Sequence, residues 1–280
     1  MRKNALIISC ITCVFGAFGA FFRWLLDLTA FEAESGLYIP GNIWSKALVI
    51  TCLGCAAALL AAVMKLKKKD GLALSEDYSA AMCGSTVAFK PIYIFISALM
   101  AAGGVLLALS AGENMYSVFQ LILAVLGILA AVGFWLMMSA AKRRRDPPLN
   151  CFGATLIILL YCFWLIVSYR ENTASPVIWS YAMELLAISG ALAASYFIAG
   201  VPFGRQKPFV TIFFCQFAAF LCITTLPDKR ATGQQIMLIA TAVMLVFVSW
   251  ILISNLRVPQ AEPEPQEQDT PEDNAEPEDE

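Results

Sequence analysis

Histidine is absent from all 280 residues of the chain. That absence excludes the Ser-His-Asp and Cys-His catalytic triads. It also excludes the HExxH zinc site, His-ligated haem and phosphohistidine signalling. There is no Gly-rich phosphate loop of the Walker type, so ATP hydrolysis by that route is excluded as well. No paired-carboxylate motif stands out for acid–base chemistry. Charge is scarce: 14% of residues are Asp, Glu, Lys or Arg, against about 25% in soluble domains. These absences point away from an enzyme, and no cofactor and no nucleic-acid partner are expected.

What the chain has instead is apolar sequence, 59% of its residues, where a soluble domain carries about 45–50%. The excess comes in long blocks. Eight runs, at about 5–26, 46–64, 92–111, 116–140, 151–170, 177–199, 208–226 and 232–254, lie between charged or turn-forming breaks. Each is long enough to cross about 30 Å of hydrocarbon as a helix. Lipid cannot satisfy the backbone of an open strand, so the spans must be helical. The expected fold class is therefore all-α: a polytopic membrane helical bundle of eight transmembrane helices over residues 1–257. The start, Met1-Arg2-Lys3, is like that of a signal peptide. The run behind it is long, ends at Arg23-Trp24 and shows no small-residue cleavage site, so it reads as an anchor.

The net charge of −2 hides two opposed parts. Residues 258–280 carry 10 of the 21 acidic side chains and no basic one, which leaves 11 acidic against 19 basic residues, or +8, before them. That Pro- and Glu-rich segment cannot bury enough apolar surface to offset its ordering entropy and is expected to be a disordered acidic cytoplasmic tail. The basic residues of the body are also unevenly placed. With the N-terminus inside, the inner loops and helix ends hold 14 of the 19 Lys and Arg residues; only Arg23, Lys46, Arg170, Lys229 and Arg230 fall outside. By the positive-inside rule both termini are cytoplasmic. The inner basic clusters, Lys65–Lys69 and Lys142–Arg145, are expected to meet anionic lipids of the bilayer. Trp24, Tyr38, Trp44, Tyr116, Tyr169 and Trp179 mark an outer aromatic belt.

Two connections are long. The inner one runs from Lys65 to Lys90, and the outer one from Asp27 to Ser45. The outer one is turn-rich but has an apolar side, suited to covering the bundle. Its stretch from Arg23 to Asn42, with Phe31-Glu32 and Glu34-Ser35-Gly36-Leu37-Tyr38-Ile39-Pro40-Gly41, resembles uncharacterised bacterial multi-spanning membrane proteins. The likeness covers about twenty residues and implies neither a substrate nor an active site. Short loops and the lack of any Asn-x-Ser/Thr acceptor agree with a bacterial cell membrane.

Local matches point to a four-plus-four parallel internal repeat of 1–145 and 146–257. Ile43-Trp44-Ser45 matches Ile178-Trp179-Ser180 at an offset of 135, and Lys90-Pro91 matches Lys207-Pro208 at 117. Chance similarity between Ala-rich helices with interfacial Trp and Lys-Pro entrances accounts for the same matches.

The polar residues within spans are the candidate functional residues. Glu184 is the one acidic residue well inside a span, and charge inside a bilayer is expensive. Arg23 and Arg170, at the outer ends of their spans, are placed to reach toward it. Gln216 lies at mid-bilayer, and Gln120 and Gln235 one turn into their spans, where amides join helices. Cys10, Cys13, Cys52 and Cys55 occupy two antiparallel spans at similar depth, as a soft-metal thiol cluster would, but without zinc-type loop spacing they read first as small apolar packing residues, and no metal is expected. Gly16, Gly19 and Gly190 read as close helix-packing positions. Two function classes follow. The first is a transporter of a small solute or ion, or the membrane subunit of one, with Glu184 as coupling or substrate residue. The second is a non-transporting membrane scaffold or sensor, with segment 27–45 and the acidic tail as contact surfaces for a protein partner.

Overall fold

The computed structural model describes residues 2–30, 38–39, 41–68, 72, 74–75, 78–84, 89–111, 117–143, 147–173 and 177–257, without the side chains at 117, 142–143 and 147–149. The acidic tail, residues 31–37 and 40 of segment 27–45, Tyr116 and the Lys142–Arg145 side chains fall outside the described residues. Among the described residues the secondary structure is helical: α1 (Arg2–Thr29), α2 (Ile43–Lys67), α3 (Tyr78–Met82), α4 (Phe89–Ser110), α5 (Ser117–Arg143), α6 (Pro147–Asn172), α7 (Ile178–Ala199), α8 (Pro208–Thr224) and α9 (Thr232–Asn255).

All eight expected spans are present as helices, and the protein is an all-α, multi-pass membrane bundle. Seven helices are long and apolar enough to cross a membrane. The eighth, α8, has 17 residues, or about 26 Å of rise, at the lower edge of the spanning range. Several helices run past the expected apolar limits. α1 begins at Arg2 and α2 ends at Lys67, because long basic side chains reach water while their backbone stays helical. The short α3 has no hydropathy signature and was not expected. Its Tyr78 hydroxyl donates to the Met137 carbonyl of α5 at 3.0 Å, which ties the long 65–90 connection to the bundle.

Proline placement shows why the helices start where they do. Pro91, Pro147, Pro148 and Pro208 all lie in the first turn of their helices, where the missing N–H costs nothing. Before α2, Gly41 takes a left-handed φ of 87°, a conformation that favours glycine. Asn42 then caps the helix by accepting from the Trp44 amide at 2.9 Å.

Six helices close a ring by successive contact: α4 on α5, α5 on α6, α6 on α7, α7 on α8, α8 on α9 and α9 on α4. α1 and α2 pack outside that ring on α8, and α1 also touches α9. Close approach is set by glycines. A Cβ on Gly133 would lie 2.7 Å from the Gly153 carbonyl oxygen, and one on Gly153 would lie 2.5 Å from that of Gly133, so α5 and α6 meet backbone to backbone. The expected packing positions behave in the same way: Gly16 and Gly19 seat Ile223 and Thr224 of α8, and Gly190 faces Ala218. The ring is filled. The void between Phe134, Ile157, Ser195 and Met244 measures about 10 Å³, no more than one water molecule requires.

Both termini of the described bundle lie on one side, called here the terminal side. The far side carries the aromatic residues. Tyr38 stacks on Trp179 with ring centroids 5.9 Å apart, and Trp44 stacks on Phe22 at 6.1 Å. Trp24 and Tyr169 are exposed there, where amphipathic rings suit a membrane–water boundary. The described part of segment 27–45 folds back over the bundle: the Ile39 amide bonds the Ala30 carbonyl at 2.8 Å.

Candidate functional site

The polar groups of the far side converge on one cluster. Helix α1 buries the face that carries Gly16, Gly19, Arg23 and Leu26, spaced at three and four residues as a packing stripe is. The glycines let α8 come close, and Arg23 is drawn in with them and is only 3% exposed. Its Nε donates to Asp228 Oδ1 at 2.7 Å. Its Nη1 and Nη2 donate to the carbonyls of Trp179 and Ser180, in the first turn of α7, at 2.9 and 2.6 Å. One guanidinium thus joins α1, α7 and the α8–α9 turn.

Asp228 and Arg230 both come from that turn. Arg230 Nη2 donates to Asp228 Oδ2 at 3.1 Å and to the Thr225 carbonyl at 3.1 Å. It also stands 3.7 Å from Glu184 Oε2, with side chains 4% and 15% exposed. The other Glu184 oxygen accepts from the Ser168 hydroxyl of α6 at 2.9 Å. The cluster holds two guanidiniums and two carboxylates, so its formal charges cancel. Such charge balance is what a buried ionic group needs to persist; Arg230 Nε and Nη1 are buried without a hydrogen-bond partner among the described residues. Gln235 adds a donor to the Asp228 carbonyl at 3.3 Å.

The expected partners of Glu184 are therefore corrected. Arg23 lies in the same cluster but is engaged by Asp228, and the cation facing Glu184 is Arg230. Arg170 stays exposed and lies over the Phe119 ring, 4.2 Å from its centroid. Its neighbour Glu171 accepts from Gln120 at 3.0 Å. Sequence reasoning missed Asp228 and Arg230. The available signal was the mixed-sign run Asp228-Lys229-Arg230 in an otherwise short outer connection.

Gln216 forms a separate node deeper in the bundle, where it is fully buried. Its Oε1 accepts from Thr12 at 2.6 Å, and its Nε2 donates to Ser249 at 2.9 Å and to Ser9 at 3.5 Å. The amide is thus committed to α1 and α9. Gln216 does not join Glu184 in one path; the two belong to different polar centres. A third polar pair, the Tyr161 and Thr241 hydroxyls at 2.9 Å, joins α6 to α9. Thr241 donates to the Met237 carbonyl, which makes Tyr161 the donor to Thr241.

The four cysteines do not come together. Cys10 and Cys13 are exposed, Cys52 is half-buried and Cys55 is buried. Among the described residues no group of three or more His, Cys, Asp or Glu side chains is placed to hold a metal ion. A register that matches depth leaves rotation free, and α1 turns its thiols away from the packing stripe of Gly16, Gly19 and Arg23. Comparison of the chain with family models, with curated proteins and with solved structures finds no match in any of the three.

Proposed function

We propose that this multi-pass membrane protein is a non-transporting scaffold or sensor, held in a bacterial cell membrane with both termini cytoplasmic. The observation that carries the reading is the state of Glu184. Its two carboxylate oxygens face Ser168 and Arg230, and Arg230 is itself held by Asp228. A coupling residue needs a water-filled route through which solute or protons reach it. The Glu184 side chain is instead only 15% exposed. The cluster's work is to lock α1, α6 and α7 to the α8–α9 turn. That gives a rigid outer face on which segment 27–45, anchored by Tyr38 on Trp179, is presented to a partner. The acidic tail is the contact surface on the opposite side.

The transport reading makes the contrary forecast, so one experiment separates them. Purified protein is reconstituted into proteoliposomes, and proton, sodium, potassium and chloride fluxes are followed for wild type and Glu184→Gln. The expected result is flux at the level of empty vesicles for both proteins. Flux above that level in wild type, lost in Glu184→Gln, would restore Glu184 as a coupling residue and overturn the scaffold reading.

A further inference from the structure

A long apolar concavity lies away from the ion cluster, on the outside of the ring. α1 and α4 both pack on α9, and between them runs a groove of about 690 Å³. Its floor is a stripe of α9 that includes Ile239, Val243, Val246, Phe247 and Trp250. The spacings of three and four residues keep these side chains on one helix face. Cys13 of α1 and Ile92 of α4 stand on its walls. From Ile239 to Ser254 the floor extends about 23 Å at helical rise, more than the roughly 15 Å of one hydrocarbon leaflet. At the terminal side the lining turns polar, with Arg2, Ser254 and Asn255. The Asn255 amide is used up on the Ala81 and Cys83 carbonyls, 2.8 and 3.0 Å away. The Ser254 hydroxyl is buried and has no hydrogen-bond partner. Arg2 is exposed at the same mouth.

We infer that this groove holds one acyl chain of an anionic phospholipid from the terminal-side leaflet, with the anionic headgroup at Arg2. Three observations select this occupant. The groove opens sideways at hydrocarbon depth, and its apolar walls offer a water molecule few polar partners. Its polar end carries the exposed Arg2 cation, which favours a net-negative headgroup over a zwitterionic one that brings its own cation. Its floor also lacks the feature by which helices dock in this protein. α4 meets α9 through Gly103 and Gly233, α5 meets α6 through Gly133 and Gly153, and α1 meets α8 through Gly16 and Gly19. Apart from Ala242, the groove floor presents Ile, Val, Phe and Trp, which suit a flexible chain and not the close approach of another helix.

Trp250 lies in the groove and supplies the probe. The full-length protein is reconstituted into phosphatidylcholine vesicles, with graded fractions of either phosphatidylglycerol or phosphatidylcholine carrying dibrominated acyl chains. Its fluorescence contribution is obtained as the difference between wild type and Trp250→Phe. Bromine quenches an indole that it touches. The expected result is that brominated phosphatidylglycerol quenches Trp250 at about fivefold lower mole fraction than brominated phosphatidylcholine, as one basic residue near the surface provides. Arg2→Gln, on an exposed side chain and checked for an unchanged melting temperature, should bring the two lipids level. Equal quenching by both lipids in wild type would overturn the inference, as would a preference that survives Arg2→Gln. Absence of quenching by either lipid would overturn it too, and would mean that protein, such as a second copy of the chain, fills the groove.

Discussion

Arg23 and Asp228 stand 205 positions apart in the chain and meet at 2.7 Å, with side chains 4% and 10% exposed. The pair fastens the end of α1 to the turn between α8 and α9, and the same guanidinium reaches the first turn of α7. Removing Asp228 leaves two buried guanidiniums without their shared carboxylate, which costs about 3–5 kcal/mol, whereas removing Arg23 leaves Asp228 paired with Arg230. Asp228→Asn is expected to lower the unfolding free energy by that order, and Arg23→Gln by less, measured by denaturant titration in detergent micelles. The double variant should cost clearly less than the sum of the two, because they share one interaction. Additive losses would mean that the pair does not couple these elements.

Glu184 should be the least costly member of the cluster to neutralise. Its nearest cation stands 3.7 Å away, beyond hydrogen-bond range, whereas Asp228 accepts from two guanidiniums at 2.7 and 3.1 Å. Glu184→Gln keeps an acceptor for the Ser168 hydroxyl and leaves Arg230 on Asp228. The expected loss is about 1 kcal/mol or less, in line with an ion pair of loose geometry. Side-by-side denaturant titrations of Glu184→Gln and Asp228→Asn check the order, and a larger loss for Glu184→Gln would reverse the weight assigned to the two carboxylates.

The spans were legible from hydropathy because a lipid-facing helix must be apolar over its whole crossing length. The run 232–254 became Thr232–Asn255, and 177–199 became Ile178–Ala199. The packing glycines were legible for a similar reason, since small residues inside a span have few other uses. The partner of Glu184 was not legible. Hydropathy orders residues by depth, and at the depth of Glu184 the sequence offered five outer basic residues. Choosing among them requires knowing that α8 and α9 lie beside both α1 and α7, which no local pattern states. The cysteine register failed likewise: depth matched, but rotation about α1 was set by Gly16, Gly19 and Arg23 facing α8 and α7.

Gln216 should behave as helix glue. Its amide bonds Thr12, Ser9 and Ser249 across three helices with no exposed atom. Interhelical polar contacts in membranes average about 0.6 kcal/mol and reach about 1.7 kcal/mol. Gln216→Leu is expected to lose about 1–2 kcal/mol by denaturant titration, because the Thr12 and Ser249 hydroxyls also lose a partner. Adding Thr12→Val should cost little more, because without Gln216 the Thr12 hydroxyl keeps only its 3.3 Å bond to the Ile8 carbonyl. A double variant weaker than the sum of the single variants would place the energy elsewhere.

The glycine contacts allow the sharpest ranking. A methyl group at Gly133 would sit 2.7 Å from the Gly153 carbonyl oxygen, which is backbone and cannot rotate away. At Gly190 the nearest atom is the Ala218 methyl at 3.3 Å, and at Gly54 it is a Phe15 ring carbon at 3.6 Å, an ordinary contact. Gly133→Ala must therefore push α5 from α6 and is expected to cost about 1–3 kcal/mol as overpacking does. Gly54→Ala should be neutral or stabilising by a few tenths up to about 1 kcal/mol, since alanine is the better helix former. Gly190→Ala should fall between, its sign set by whether Ala218 gives by a few tenths of an ångström. Melting temperatures of the three variants in one detergent measure the order directly. If Gly133→Ala melted no lower than Gly54→Ala, α5 and α6 would not be in backbone contact at that crossing.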